Sequence, residues 1–411
     1  MKKVVIAGAS VYGLNNLSDD AMLTVFCDEL RNVVPRVEIT MLARHPGPDL
    51  DAQFGVKSIA NLDHQRREDS RGRWFNGLNP HDPPDNLRGI RQAIEEADLL
   101  IMGGDPFIDI TIGLYKGITP YTVLLFTLAK FMGIPTMIHG VHMGRPLETE
   151  IGVEQTKFCV GLADSITVRE PHSIDVFREM GVERLDHIIP LAEAGYGLQR
   201  IEGRKMGEQV LEKENIQPAG SGLMGVTFRH MYWRWKNEEW ARYSDMVARL
   251  CDYMVEEYDL DVIFIPHNTY EIDHRYMNDR PGHDEITAQM KHGRRAHPIT
   301  SRLSLQETLS LFPLLDITFS NRRHTAMFAA LHGVVGMGVG ELHHVKPPME
   351  QLGIGGDKFV AIEDFSFELF RDNLTAIWED KETILKNINQ RYPDLRAQAL
   401  GNAQKAAEFL Q

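Results

Sequence analysis

The stretch DITFSNRRHTAMFAALHGVVGM, residues 316–337, holds a strand, a helix and a second strand in order. Its apolar runs near 317–319 and 334–337 are short and end at Ser or Gly, as buried strands commonly do. Between them, the apolar residues near 324–332 follow a helical spacing. Strands that alternate with helices in this way predict βαβ units and a parallel sheet.

The same alternation runs along the chain in two blocks. In the first block we predict strands at 4–7, 37–42, 99–102, 136–138 and 166–168. Helical patterns lie between them near 19–33, 86–97, 120–132, 150–162 and 171–180. The second block has strands near 223–228, 262–265, 317–319, 334–337 and 359–362 and helices near 238–256, 304–313 and 324–332. We therefore predict an α/β protein with two Rossmann-like, doubly wound domains that face a central cleft.

The boundary between these domains is predicted from the charged and then Gly-, Pro- and Ser-rich text at 196–222. We expect an N-terminal domain of residues 1–197, a linker of residues 198–222 and a C-terminal domain of residues 223–411 that ends in a helical tail. A length of 411 residues suits two domains. Residues 44–90 carry few apolar side chains and are predicted to form a long loop.

Composition and charge narrow the class of function. A formal net charge of -14 and a pI near 5.7 argue against a nucleic-acid partner, because phosphate backbones demand a basic surface. Three widely spaced cysteines without a CxxC pair indicate a reducing compartment, and we expect a cytoplasmic protein. The most apolar stretch is interrupted by Lys130, Gly133 and Pro135, so we expect no transmembrane segment.

Two arginines, Arg322 and Arg323, stand directly before the helix of the opening stretch. A helix N-terminus carries partial positive charge, so guanidiniums there are unfavourable unless an anion neutralises them. Arginine offers a bidentate fork to a carboxylate or a phosphate. His324 beside them is able to move a proton near neutral pH. This segment therefore predicts a binding site for a compact anion.

Polar residues follow the first and third predicted strands as well. Asn16 and Asp19 precede a helix and are candidates to bind a ligand. The alternative is that Ser18 caps this helix and that Asp19 and Asp20 only complement its dipole. Next to the third strand, Gly103, Gly104 and Asp105 allow close approach of a ligand, although a tight turn explains the glycines equally well. These residues are candidates for the cleft.

His139 and His142 after the fourth strand have an HxxH spacing, which is a weak metal signal without a third ligand, and we predict no metal site. Arg169 after the fifth strand suits an anion, although a surface arginine paired with a carboxylate is an equal alternative. In the second block, Arg229 and His267 also stand at strand ends, and a core or capping histidine is the simpler interpretation of His267.

Aromatic residues cluster between 232 and 240, and Trp233 among them is a candidate for stacking on a sugar, with packing as the alternative. We expect acceptor choice to be encoded in this segment and in the 44–90 loop.

Taken in order, these segments resemble the polysaccharide pyruvyl transferase family. The motifs that carry the resemblance are NLSDDAML (16–23), GGDPFID (103–109), TVREPHS (167–173), the strand-end PH at 266–267, S-x-R-x-H in SNRRH (320–324) and a downstream Lys346. Ser18 and Asp105 stand where the family commonly has glycine, and the stretch HIIPLAEAGY lacks the family's usual aspartate.

The resemblance implies a GT-B-like fold and a transferase that uses phosphoenolpyruvate as donor and a sugar diol as acceptor. The product would be a cyclic pyruvate ketal, with release of phosphate and no cofactor. Arg169, Arg322 and His324 would be catalytic. A further group, Arg229, His267 and Lys346, would help to hold the donor, while the acceptor side would include Asn16, Asp19, Gly103, Gly104, Asp105, His142 and Trp233.

Two alternatives stay open on the sequence: a GT-B glycosyltransferase that uses a nucleotide sugar, with Glu341 near the nucleotide, and a non-catalytic anion-binding member of the family. The sequence also leaves open which sugar is the acceptor, where the ketal forms, whether the acceptor is lipid-linked, and whether the protein is a homo-oligomer.

Overall fold

The computed structural model describes residues 1–8, 16–62, 86–107, 118–232, 234–270, 275–355 and 358–411. The chain folds into two units. The first unit consists of Met1–Leu198 together with Arg396–Gln411, and the second consists of Gln199–Leu395.

The first unit is built on a seven-stranded sheet in the order β3-β2-β1-β4-β5-β6-β7, and every neighbouring pair is parallel. The strands are β1 (Lys2–Ala7), β2 (Val37–Ala43), β3 (Lys57–Ala60), β4 (Leu99–Met102), β5 (Thr136–Val141), β6 (Ser165–Val168) and β7 (Ile188–Pro190). The helices are α1 (Leu17–Val33), α2 (Pro48–Phe54), α3 (Asn86–Glu95), α4 (Ile118–Phe131), α5 (Glu150–Leu162) and α6 (His172–Glu179). Strands β4, β5 and β6 are buried along their whole length, because helices cover both faces of the sheet.

The second unit is built on a six-stranded parallel sheet in the order β10-β9-β8-β11-β12-β13. The strands are β8 (Gly222–Thr227), β9 (Leu260–Phe264), β10 (Ala296–Pro298), β11 (Ile317–Ser320), β12 (Val335–Gly340) and β13 (Phe359–Ala361). The helices are α7 (Lys205–Lys213), α8 (Asn237–Tyr258), α9 (Arg280–Gln289), α10 (Leu305–Leu311), α11 (Arg323–Leu331), α12 (Leu342–Gln351), α13 (Phe367–Glu379) and α14 (Lys381–Glu408). The opening stretch of the sequence is β11, α11 and the start of β12, and it forms a parallel crossover as predicted.

The segment predicted as a loop at 44–90 contains regular structure. Helix α2 and strand β3 lie in it, and β3 pairs with β2 at the edge of the sheet. The low apolar content that led to the loop prediction fits an edge strand, whose residues are only partly buried. Residues 63–85 of this segment lie outside the described residues.

The division of the chain differs from the predicted domains at two points. Residues 198–222, predicted as a linker, contain α7, which packs on α10 so closely that a side chain at Gly207 would meet the Ser310 carbonyl oxygen. The helical tail that we predicted as the end of the C-terminal domain is also divided between the two units. Helix α14 begins in the second unit, and its last turns belong to the first, where Ala403, Ala406 and Leu410 are buried in the core.

Local signals in the sequence are confirmed at other points. Ser304 and Glu307 form the reciprocal capping box at the start of α10, with each side chain accepting from the other's backbone N–H. In the part of the chain that the structure describes, no helix is both long enough and apolar enough to cross a membrane.

Candidate functional site

Arg169 is buried at the carboxyl end of β6, where the chain itself supplies its anions. The guanidinium Nη2 lies 2.9 Å from Asp105 Oδ1, and Nη1 lies 3.5 Å from Glu193 Oε2. Its Nε donates to the carbonyl oxygen of Gly140 at 2.5 Å. Burial alone would lower the pKa of Arg169, but Asp105 and Glu193 raise it, so this guanidinium is held permanently charged.

Asp105 reaches Arg169 from a left-handed backbone conformation. Its φ is +50°, and that of Gly104 before it is +70°. A side chain other than glycine is uncommon in this region of backbone conformations. The Asp105 carboxylate also accepts from the backbone N–H of His142 at 3.2 Å. The unusual residue therefore ties the turn after β4 to the turn after β5.

His142 is held by a buried carboxylate. Strand β5 shifts register against β6 between Ile138 and Val141, and Gly140 has a φ of +60°. After this irregularity, His142 Nδ1 pairs with Glu170 Oε1, and both residues are buried. Ser173 donates to the same carboxylate oxygen at 3.1 Å. A histidine oriented by a carboxylate through one ring nitrogen is suited to exchange protons at the other.

The two histidines of the HxxH pattern face different surroundings. The His139 ring packs on Phe26 with 4.3 Å between ring centroids. Burial, assisted by the charge of Arg169, lowers the pKa of His139 to about 3. His139 is therefore a neutral core residue, whereas His142 is paired with Glu170.

The start of α1 corrects the predicted cap. Asn16, not Ser18, is the N-cap, and its side chain accepts from the Ser18 N–H at 3.1 Å. Asp19 follows in the first turn and is 8% exposed. Burial raises the pKa of Asp19 to about 7, with a further contribution from Asp105 and an opposing one from Arg169. Asp19 therefore belongs to the same electrostatic group as Arg169.

In the second unit, Arg322 is the N-cap residue of α11 and pairs with one buried carboxylate. Its Nη2 lies 2.5 Å from Asp279 Oδ1. Asp279 also accepts from the backbone N–H groups of His267 and Asn268, each at 2.9 Å. Burial would raise the pKa of Asp279, but Arg322, His283 and these N–H groups hold it below its ordinary value. Asp279 thus fixes the Arg322 side chain at the end of the sheet.

Arg229 lies next to this pair. Asn321 clamps the two strand ends together, since its side chain accepts from the Arg229 N–H at 2.7 Å and donates to the Arg229 carbonyl at 2.8 Å. Burial and then repulsion by Arg322 lower the pKa of Arg229. Two guanidiniums are therefore crowded together at a helix N-terminus.

The histidines of this region have distinct positions. His267 is fully buried, its Nε2 lies 3.0 Å from Thr325 Oγ1, and its ring stacks on Phe328. Burial and Arg322 hold the pKa of His267 well below its ordinary value, so it is neutral and supports α11, as the core interpretation has it. His324, the second residue of α11, is 5% exposed and lies near the same end of the sheet.

Two further predicted residues stand apart from these contacts. Lys346 is exposed on α12, and its Nζ lies 3.6 Å from Glu350. Trp233 lies outside the described residues. Its neighbours Trp235 and Trp240 are buried and stack on Phe228 in the core of the second unit, so packing is the better interpretation of these two side chains.

The structure thus assembles two groups of predicted residues, one in each unit. Arg169, Asp19, Asp105 and His142 share the carboxyl edge of the first sheet, with Gly103 bonded to Ala7 beside them. The other group lies at the carboxyl edge of the second sheet and comprises Arg229, Arg322, His267 and His324.

Sequence reasoning missed three acidic residues, namely Glu170, Glu193 and Asp279. Asp279 precedes Arg280 and Pro281, an acid before a proline at a helix start, which is a detectable N-terminal signal. Glu193 lies in HIIPLAEAGY and supplies a carboxylate to Arg169 in a stretch where the family's usual aspartate is lacking.

Known structures of the same fold were compared with this chain. Alr3699/HepE from Anabaena in complex with UDP-glucose superposes with a TM-score of 0.63 at 13% identity, covering 100% of this chain and 99% of the other. The UDP-GlcNAc 2-epimerase from Neisseria meningitidis bound to UDP-GlcNAc gives a TM-score of 0.60 at 12% identity, covering 100% and 99%. At these identities the likeness shows the GT-B-like fold and nothing of the ligand.

Comparisons of sequence are more specific. A search of curated proteins finds no match to this chain. The sequence profile described as polysaccharide pyruvyl transferase matches residues 19–343, a range that includes both groups of strand-end residues. The chain therefore belongs to the polysaccharide pyruvyl transferase family.

Proposed function

We propose that the protein transfers the pyruvyl group of phosphoenolpyruvate to two hydroxyls of a sugar and forms a cyclic ketal. The observation that carries this proposal is that Arg322, paired with the buried Asp279, lies close enough to Arg229 at the start of α11 to lower the pKa of that second guanidinium. A neighbouring anion would relieve the repulsion between the two guanidiniums and would be favoured by the partial positive charge of the helix N-terminus.

Phosphoenolpyruvate matches this arrangement because it carries a carboxylate and a phosphate on one small molecule. Two arginine forks suit two such groups. Asp279 keeps Arg322 in place before the donor arrives, so little ordering is needed on binding. Arg169 is less suited to the donor than the sequence suggested, since Asp105 and Glu193 already occupy it. Its catalytic role stays a prediction.

The proposed transfer takes place in three steps at the donor. His324 donates a proton to the methylene carbon of the donor, which makes C2 electrophilic. A sugar hydroxyl attacks C2 and gives up its proton, and the bond from C2 to the phosphate oxygen breaks. A second hydroxyl then adds to C2, loses its proton and closes the ketal. The arginines stabilise the negative charge that collects on the leaving phosphate.

Among the residues predicted for the acceptor, one in the first unit has the geometry of a base. His142 is oriented by Glu170 through Nδ1, which suits the ring to take a proton at Nε2. We assign the acceptor to the residues around it, Asn16, Asp19, Gly103, Gly104 and Asp105. The proposal places the enzyme in the cytoplasm, in keeping with three free, buried cysteines. It leaves open whether the acceptor is lipid-linked.

A ligand titration tests the donor assignment. Phosphoenolpyruvate at about a hundred times its dissociation constant should stabilise the wild-type protein by roughly 2.7 kcal/mol. Arg229→Met should lose this stabilisation, whereas Arg204→Met, which alters an exposed arginine, should keep it. Thermal melts with UDP-glucose in place of phosphoenolpyruvate are the comparison.

Stabilisation of both variants by UDP-glucose, and of neither by phosphoenolpyruvate, would instead support a nucleotide-sugar glycosyltransferase. If phosphoenolpyruvate binds, a panel of glycans should yield phosphate and a product that carries one pyruvyl ketal by mass spectrometry. Binding without phosphate release on every acceptor would point to a non-catalytic member of the family.

A further inference from the structure

A second candidate site lies just after β12. Glu341 is the N-cap residue of α12, and His343 and His344 stand in the first turn of that helix. We call these three residues the Glu341 cluster. None of them takes part in the proposed transfer of the pyruvyl group, and all three are at least partly exposed.

The three side chains point at a common place. Glu341 Oε2 lies 3.6 Å from His343 Nε2 and 3.5 Å from His344 Nε2. The two imidazole rings are 4.2 Å apart between centroids. One ligand atom from each residue lies within 4.8 Å of the other two. Two adjacent histidines in a helix would ordinarily diverge, so their convergence on one carboxylate oxygen is a specific arrangement.

These separations fit a tetrahedral metal ion. Zinc bonds to nitrogen and carboxylate oxygen at about 2.0–2.2 Å, which places neighbouring ligand atoms roughly 3.3–3.6 Å apart in a tetrahedron. The two oxygen-to-nitrogen distances already have this length. Two histidines and one glutamate form a recognised zinc-ligand set that leaves a fourth position for water. Side-chain exposures of 26% for Glu341 and His343 and 49% for His344 give an ion access from solvent.

The second carboxylate oxygen is held by a separate partner. Arg234 Nη1 pairs with Glu341 Oε1, while Arg234 Nη2 pairs with Glu363. The guanidinium thus fixes the glutamate so that Oε2 faces the imidazoles, as outer partners do for metal ligands. Arg234 thus divides its charge between Glu341 and Glu363.

We propose that the Glu341 cluster binds one divalent transition metal ion of the zinc class. The site has one carboxylate and two imidazole ligands, and its fourth position is open to water or a ligand atom. The inference stands apart from the proposed transfer reaction, because none of its three residues is assigned to the donor or the acceptor.

Titration of metal ions into untagged, chelator-treated protein tests this site. Isothermal titration with Zn²⁺ should show one site per chain, and Co²⁺ should give the intense visible absorption of four-coordinate cobalt. His343→Ala and His344→Ala should each weaken Zn²⁺ binding by about a hundredfold or more, beyond the roughly 10–100-fold effect of losing an outer partner. Circular dichroism checks that each variant is folded.

A matched control is available in the same unit. His292 Nε2 lies 2.8 Å from Glu256 Oε1, which is a histidine and carboxylate pair without a second imidazole. His292→Ala should bind Zn²⁺ as the wild type does. Equal affinities in the wild type and both cluster variants, or no binding by the wild type, would overturn the proposal. Either result is independent of phosphoenolpyruvate, so it separates failure of the metal site from failure of the proposed function.

Discussion

Arg169 and Arg322 both follow a buried strand of a parallel sheet, but their charged neighbours differ. Arg169 contacts two carboxylates, Asp105 and Glu193, and Asp19 adds a third acidic group nearby. Arg322 pairs with Asp279, and a second guanidinium, that of Arg229, is near enough to be repelled by Arg322. The first arginine is bound by carboxylates of its own unit, whereas the second has another guanidinium beside it.

This contrast shows that an arginine at a strand end does not by itself indicate whether its partner is a carboxylate of the same chain or a bound ligand. The partners of Arg169 come from after β4 and after β7, far away along the chain. Whether a carboxylate of the same chain pairs with an arginine depends on such distant residues. From the sequence alone, Arg169 and Arg322 were therefore equally good candidates for binding an anionic ligand.

The largest expected effect is on the stability of the first unit. Arg169→Met leaves Glu193 buried without its cation, and breaking a buried pair in this way costs about 3–5 kcal/mol. Hydrogen exchange of peptides from β5 and β6 measures the opening of this unit alone. Arg178→Met, which alters an exposed pair with Asp175, should change the exchange by no more than about 0.5 kcal/mol. If β5 and β6 were equally protected from hydrogen exchange in the two variants, Arg169 would not be needed for the stability of the first unit.

The next effect is on turnover. His324→Gln should lower the rate of phosphate release by about a hundredfold or more, while the stabilisation by phosphoenolpyruvate is largely kept, since the arginines hold the donor. His172→Gln, at an exposed position in the first unit, serves as the control. Unchanged turnover in His324→Gln would remove the histidine from the chemistry and leave the second site with a binding role only.

The acidic group around Arg169 should make the stability of the protein depend on pH, through Asp19. The pKa of Asp19 is raised from 3.8 to about 7 in the folded protein, so its contribution to stability is full below pH 4 and is lost as the pH rises through 7. Because asparagine does not titrate, the free energy of unfolding of Asp19→Asn should rise relative to that of the wild type by on the order of 2 kcal/mol between pH 5 and pH 8. Thermal melts across this range measure the gain.

The exposed Asp49→Asn is the control for the pH series and should follow the wild type at every pH. A constant difference between Asp19→Asn and the wild type would show that Asp19 does not titrate in this range.

The smallest effect is expected where two guanidiniums are neighbours. Arg229→Met should raise the stability of the ligand-free second unit by about 0.5–1 kcal/mol at low salt, because it removes repulsion from Arg322. The gain should shrink as salt screens the charges. Urea unfolding at two salt concentrations measures it. A loss of stability as large as that of Arg169→Met would mean that Arg229 also has an internal anion.

The sequence predicted the central strands and most helices, because their apolar runs are long and their ends carry clear signals such as Ser304 and Glu307. It missed α2 and β3, whose short, partly exposed residues give little periodicity. Residue type and strand-end position correctly indicated that Arg322 and His142 lie at the edges of the two sheets, while their roles stay predictions. Glu170 and Asp279 were missed because their importance comes from pairing across the sheet edge.

Helix α14 has a consequence for the order of folding during synthesis. The residues that complete the core of the first unit, Ala403, Ala406 and Leu410, leave the ribosome after the whole second unit. Domains generally fold as units as they are made, N-terminal first. Here the N-terminal unit has to wait with an apolar surface uncovered until the last turns of α14 arrive, so it becomes complete only when the second unit has already been made.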